Sequence, residues 1–303
     1  MTMRIGIFGG ETATADIDGA IASATRAEEQ GFASYWVPQI FGYDALTLLA
    51  LIGRGTDRIE LGTSVVPTYP RHPAMLAAQA ITTQLAAGGR LTLGIGLSHQ
   101  PVIEHMFGMS FDKPVRHLRE YLDVLMPLVE DQTVAATGET LSATLTLDIP
   151  DPQPVPVMVA ALGPQMLKLA GARTAGTITW MTGPRTIEEH TAPHLRKAAA
   201  DAGNPEPRVA CGLPVCVTDD VDGARERAAQ TYAIYGHLPS YRAMLDREGA
   251  DGPADVAIIG DEESVAKRIR ALGDAGVTDF AASEFGSGGD EVRRTRELLQ
   301  SLL

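Results

Sequence analysis

Cysteine is nearly absent: Cys211 and Cys216 are the only two in 303 residues. Five positions apart, they match no zinc-ligand spacing, and a disulfide there would serve little purpose in a chain with so large a core. A reducing, cytoplasmic setting is the expectation. Long apolar runs are missing as well; none approaches the roughly 20 residues that span a bilayer. The start, Met1 to Phe8, has no cationic stretch followed by a signal-like apolar segment, so a soluble protein is expected. There is no basic run either. With 25 Lys and Arg against 38 Asp and Glu, the formal net charge is −13. That argues against nucleic acid and against an anionic membrane surface; its simplest reading is solubility. His72, His99 and His105 show no HxH or HExxH spacing that would hold a metal. No Gly-x-Ser-x-Gly elbow anchors a hydrolase triad, and neither tandem repeats nor low-complexity tracts occur.

What is present is alternation. Eight short runs rich in Val, Ile and Leu read as strands: Arg4–Phe8, Ser34–Val37, Ile59–Val65, Leu91–Ile95, Val155–Ala160, Thr177–Trp180, Arg208–Val217 and Val277–Ala281. Several are almost uniformly apolar, as parallel strands buried on both faces are. Between them the period turns helical: Asp16–Gln30, Asp44–Gly53, Pro73–Ala86, Pro114–Glu130, Pro164–Ala172, Ile187–Ala202, Asp219–Tyr235, Asp261–Ala271 and Glu291–Leu302. Pro73, Pro114 and Pro164 suit a first helical position, and Asp44 suits an N-cap. Eight βα units close into a (β/α)8 TIM barrel, read as a single domain over residues 1–303. An open doubly wound sheet is the alternative, but Gly9-Gly10 lacks the third glycine of its fingerprint. Two segments stand outside the repeat. Residues 131–156 read as a hairpin or extended insertion before the fifth strand. Leu238–Ile259 reads as a long connection between the seventh and eighth strands, of the kind that covers an active site.

Barrel enzymes work at the carboxyl ends of their strands. There this sequence places glycines, aromatics and hydroxyls: Phe8-Gly-Gly, Pro38-Gln-Ile-Phe, Pro67-Thr-Tyr-Pro-Arg-His-Pro, Gly96-Leu-Ser-His-Gln, Ala160-Ala-Leu-Gly-Pro, Met181-Thr-Gly-Pro-Arg and Ser283-Glu-Phe-Gly-Ser-Gly-Gly. Such a rim suits a planar cofactor with a phosphorylated tail, which would itself carry the chemistry.

Four stretches, Leu61-Gly-Thr-Ser-Val-Val-Pro-Thr, Gly89-Arg-Leu-Thr-Leu-Gly-Ile-Gly, Val155-Pro-Val-Met-Val-Ala-Ala-Leu-Gly-Pro and Ile259-Gly-Asp-Glu-Glu-Ser-Val-Ala leading to Ala275-Gly-Val-Thr-Asp-Phe, resemble the luciferase-like monooxygenase family. The resemblance runs in order over nearly the whole chain, and is strongest to the subgroup that uses the deazaflavin coenzyme F420. It implies a bacterial-luciferase-like barrel that transfers a hydride between F420 and a small organic substrate, assembled as a homodimer through barrel-side helices. It also implies a non-prolyl cis peptide between Ser64 and Val65 behind the deazaflavin ring. Gly96 and Ser98 would lie near the ring, and the backbone of Ala161, Leu162 and Gly163 would meet the cofactor, the helix N-terminus there seating its anionic tail. Thr182, Gly183 and Arg185, or Gly286, Gly288 and Gly289, are further phosphate candidates. His99 stands where relatives carry an acidic proton donor, and a histidine can give or take a proton near neutrality. Gln39 departs from the family: an amide stands where relatives often have Asp, and an amide cannot act as a base. Two other readings remain at this stage, an FMN-dependent monooxygenase using dioxygen and a non-catalytic cofactor-binding barrel.

Overall fold

The computed structural model describes residues 3–9 and 16–303. Strand β1 (Arg4–Phe8) is followed by α1 (Ile17–Glu29), β2 (Ser34–Val37), α2 (Ala45–Arg54), β3 (Glu60–Thr63), the short β4 (Val66–Pro67), α3 (Pro73–Ala86) and β5 (Leu91–Gly96). A π turn (Val102–Met106) precedes α4 (Pro114–Asp131), and β6 (Thr133–Thr137) pairs antiparallel with β7 (Ser142–Thr146). Next come β8 (Val157–Val159), α5 (Pro164–Arg173), β9 (Gly176–Trp180), the single turn α6 (Pro184–Thr186), a second π turn (Ile187–Thr191), α7 (Ala192–Asp201) and β10 (Arg208–Val217). The rest holds α8 (Val221–Thr231), α9 (Ala233–His237), α10 (Pro239–Glu248), α11 (Pro253–Val256), β11 (Ile258–Gly260), α12 (Glu262–Asp274), β12 (Asp279–Glu284) and α13 (Gly289–Ser301).

Strands β1, β2, β3, β5, β8, β9, β10 and β12 pair in parallel in that order, and β12 returns to β1 in the register Arg4 to Asp279, so the ring closes. The expected (β/α)8 barrel is the observed architecture, and the 131–156 insertion is a hairpin. Three expectations need correction. The third run is not one strand to Val65: it breaks after Thr63 and resumes at Val66. The last strand begins at Asp279, two residues later than read, because Gly276 turns there with φ +103°. The segment 238–259 is mostly helix. Its glycines and prolines are caps, with Pro239 and Pro253 opening α10 and α11 and Gly249 closing α10 in the left-handed region at φ +76°.

The period-two alternation of the strands divides the core. Outward residues such as Ile5, Ile7, Leu91, Leu93, Ile95, Val209, Leu213 and Phe280 pack under the helices. Inward, a smaller cluster of Trp36, Met158, Ile178, Ala210 and Ala281 fills the barrel. Glycine makes room for it: a Cβ at Gly62 would fall 2.2 Å from the Trp36 ring. Below that layer, at the amino ends of the strands, the interior is ionic. Arg208 lies 2.8 Å from Glu60 and 2.9 Å from Asp279, Arg4 pairs with both acids, and Thr92 donates to Glu60 at 2.7 Å. Burial pushes the Asp279 carboxyl upward, but the Arg208 hydrogen bonds and charge outweigh it and hold the acid below the usual range.

Candidate functional site

Above the Trp36 layer the inward positions are mostly small. Gly96, Ala160, Gly212 and Ser283 share the upper barrel with the rings of Phe8 and Trp180, which stack at 5.0 Å and 28°. The smallness is required. A Cβ at Gly96 would meet Val65 Cγ2 at 2.6 Å and Ala160 Cβ at 3.2 Å, and one at Gly212 would meet the Trp180 ring at 2.9 Å. The Ser64–Val65 peptide is cis, as the resemblance implies. It occupies the gap between β3 and β4, both of which pair with β5, and the Val65 side chain packs against the inner cluster. Val65, Gly96 and Ala160 thus meet at one wall of the mouth.

His99 follows β5 on the same side. Ser98 before it takes a left-handed conformation at φ +60°, and the His99 carbonyl accepts the N–H groups of Val102 and Ile103 at 2.9 and 3.0 Å, which opens the π turn. The imidazole is half-buried, with its centroid 5.6 Å from that of Tyr241. Among the described residues nothing hydrogen-bonds its ring nitrogens, and burial lowers its pKa, so the ring is neutral at pH 7. Gln39 has a different task. Its Oε1 accepts the Ala45 N–H at 2.7 Å, helping to cap α2. Asp44 is the N-cap proper, accepting from Thr47 N and Oγ1 at 2.9 and 2.8 Å and pairing with Arg71.

The three candidate anion seats differ sharply. At Gly183 the helix start is taken: the Glu248 carboxylate accepts the N–H groups of Arg185 and Thr186 and the Thr186 hydroxyl at 3.2, 2.8 and 2.7 Å, and Arg185 pairs with Glu189. Thr182 is buried, its hydroxyl turned to the Trp180 carbonyl at 3.3 Å. At Gly286–Gly289 the first turn of α13 carries Asp290 and Glu291, and Glu291 accepts from the Ser287 N–H and hydroxyl at 2.6 and 2.8 Å. Both seats already hold a carboxylate. The start of α5 holds none. Gly163 is its N-cap, with no side-chain cap and no acid in the first turn, and a Cβ there would meet nothing within 4 Å. Unspent N–H groups at the positive end of a ten-residue helix are suited to an anion. Beside them Ala161 is buried, and the Leu162 carbonyl accepts from His190 Nε2 at 2.8 Å.

Several residues at the mouth make contacts that the sequence reading did not anticipate. Tyr232 and Tyr235 set their edges against Trp180 at 6.0 and 6.1 Å, and Tyr235 meets Tyr241 at 5.0 Å. Their three-residue spacing, Tyr232 at the start of α9 and Tyr235 within it, was the available signal. Tyr69, after β4, stacks on His117 at 3.9 Å and 5°, while Thr68 Oγ1 lies 3.0 Å from His117 Nε2. Burial pushes His117 down to about 4 and Tyr69 up to about 12. No group of three or more metal-ligating side chains occurs among the described residues, and no helix among them is long and apolar enough to cross a membrane.

Comparison with known proteins agrees with this architecture. The family model for luciferase-like monooxygenases matches residues 2–279. An F420-dependent glucose-6-phosphate dehydrogenase of Kineococcus radiotolerans is 31% identical over 87% of this chain and 81% of its own length. Among solved structures, an F420-dependent secondary alcohol dehydrogenase in complex with an F420–acetone adduct superposes with a TM-score of 0.82 at 22% identity, covering 100% of this chain and 98% of that one. The oxygenating constituent of the 3,6-diketocamphane monooxygenase of Pseudomonas putida, in complex with FMN, superposes at 0.76 and 18% identity over 99% and 96% of the two chains. These structural likenesses establish the shared barrel.

Proposed function

Because the chain belongs to the luciferase-like monooxygenase family, we propose that it is an oxidoreductase that transfers a hydride between coenzyme F420 and a small organic substrate. The observation that carries the reading is the pairing, on one rim, of a small-residue wall at Gly96 and the cis Ser64–Val65 peptide with the acid-free N-terminus of α5. The residues present fit the cofactor: the wall is built of small side chains against which a flat ring can lie, and the open position at Gly163 suits a negatively charged tail. The names of the Kineococcus relative and of the alcohol dehydrogenase support F420 as the partner.

In this reading F420, when bound, supplies a two-electron hydride acceptor or donor. Ser64, Val65, Gly96 and Ser98 border the ring, and Ala161, Leu162 and Gly163 present backbone to the tail. His99 handles the proton. Its neutral imidazole accepts a substrate hydroxyl proton during oxidation and returns one during reduction. The reading includes a single-domain chain and a cytoplasmic homodimer; the free, buried thiols of Cys211 and Cys216 suit a reducing compartment.

Fluorescence titration of the apoprotein with F420 and with FMN tests the cofactor. A saturable F420 response with none to FMN supports the proposal. Tight FMN binding with no F420 response would overturn it in favour of an FMN-dependent monooxygenase, as the Pseudomonas protein is named. Bound F420 that is never reduced in the presence of any substrate would instead indicate a non-catalytic barrel.

A further inference from the structure

Resting on that reading, we propose that the substrate is an uncharged, apolar alcohol, or the carbonyl compound it interconverts with, and that Tyr241 is the residue that sets this specificity. The first observation is a continuous chain of rings across the mouth. Phe8 stacks on Trp180 at 5.0 Å, Trp180 meets Tyr235 at 6.1 Å, Tyr235 meets Tyr241 at 5.0 Å, and Tyr241 meets His99 at 5.6 Å. The sequence makes this wall with a single bend. Leu238, extended at φ −81° and ψ 121°, alone separates α9 from α10, which Pro239 opens, and the bend brings Tyr235 and Tyr241 edge to face. A substrate next to the His99 imidazole therefore touches Tyr241.

The second observation is that three arginines on the surrounding connections are committed elsewhere. Arg242, one residue from Tyr241, donates to Asp246 at 2.8 Å and to the carbonyls of Asp251 and Ala250 at 2.8 and 2.6 Å. Arg71 pairs with Asp44 and donates to Gln79 at 2.8 Å, and Arg227 is held by Glu291 at 2.9 Å. A phosphate or carboxylate taken out of water needs a charged hydrogen-bond partner. A ring-lined wall provides instead what a neutral apolar molecule needs, burial and aromatic contact. Burial also raises the phenols of Tyr235 and Tyr241, which therefore stay as uncharged O–H groups. In the oxidative direction the carbinol C–H bond breaks and its electron pair leaves as hydride to F420. The O–H proton passes to His99, and the carbon–oxygen bond becomes a carbonyl. Two electrons leave the substrate and two reach the cofactor; reduction runs the same bonds in reverse.

The test starts by titrating the full-length protein with F420, then follows F420 reduction with cyclohexanol, 2-butanol and glucose 6-phosphate. With F420 bound, the neutral alcohols are expected to show kcat/KM about 100-fold or more above glucose 6-phosphate, the scale of discrimination when an anion is desolvated against a ring-lined wall. Tyr241→Ala should raise KM for the alcohols about tenfold with a smaller change in kcat, as loss of one aromatic wall implies. Tyr241→Phe, which keeps the ring, should retain the wild-type KM and guards against a folding artefact. Faster turnover of glucose 6-phosphate than of either alcohol, no turnover of either alcohol, or an unchanged KM in a folded Tyr241→Ala protein would each overturn the substrate class. Failure to bind F420 at all would strike at the cofactor reading itself and is seen in the first step.

Discussion

His99 has a position that sequence order can give and an environment that it cannot. Its place after the fourth barrel strand was legible; its burial against Tyr241, 142 residues away in sequence, was not. That burial makes two predictions. His99→Asn should lower turnover by about 10² or more, the usual scale of a lost general acid–base, while fluorescence titration gives an F420 affinity close to wild type. In the oxidative direction the active form is the neutral ring, whose pKa lies below 6.5. The rate should therefore hold near neutrality and fall as pH drops through that lowered value; a profile that rises toward acid would exclude the role. His117 titrates with a consequence for stability. Folded it ionises at about 4, against 6.5 for a free imidazole, so between those values the unfolded chain binds more protons. Its contribution is fully present above 6.5 and is lost as pH falls toward 4. Urea midpoints recorded from pH 7 to 4.5 should decline less steeply in His117→Phe than in the wild type. Gln39 shows the limit of position alone: the sequence marked it as a candidate site residue, yet its carbonyl oxygen is bonded to the backbone of α2.

At the scale of elements, helix starts separate the phosphate candidates. Glycine-rich turns after β8, β9 and β12 look alike in sequence. What distinguishes them is an acid that reaches one from afar, Glu248 onto Gly183, or lies within the next turn, as Glu291 does. The first is invisible to local reading, and a long connection read as loop hid the helix that carries Glu248, because breakers inside it were caps. Gly163→Asp turns this into a measurement. The backbone there, φ −80° and ψ 155°, is that of an ordinary N-cap with open space for a side chain. An aspartate should leave stability equal or raise it by a few tenths of a kcal/mol, while its charge competes with the cofactor tail. F420 affinity should fall about tenfold or more, and affinity for a tail-less deazaflavin should not; equal losses for both would show that the tail does not sit at α5.

Across the whole molecule, the barrel was readable because eight apolar runs and their helices repeat, a signal that needs no long-range information. The ionic cluster at its base was not. Arg4, Glu60, Thr92, Arg208 and Asp279 come from five strands, and each reads alone as a strand-end polar residue. Arg208→Met would leave Glu60 and the buried Asp279 without their main counter-charge. It should destabilise the protein by about 3 kcal/mol, the lower end for breaking a buried pair, measurable as a shift in denaturation midpoint at unchanged slope. The proposed homodimer has a candidate contact surface. Ile40 and Phe41 beyond β2 and Met75 on α3 are each more than 60% exposed, and Phe41 lies 6.2 Å from Phe107. Light scattering should give twice the chain mass of 32.1 kDa, and Met75→Asp should reduce it.

Staves pinned by ions at their base leave the opposite end at liberty to diverge. Randomising the tyrosine-bearing helices between 232 and 248 should return folded proteins far more often than randomising the four charged base positions. A laboratory seeking new substrates for this scaffold can thus alter the rim extensively while the foundation goes on holding the ring together.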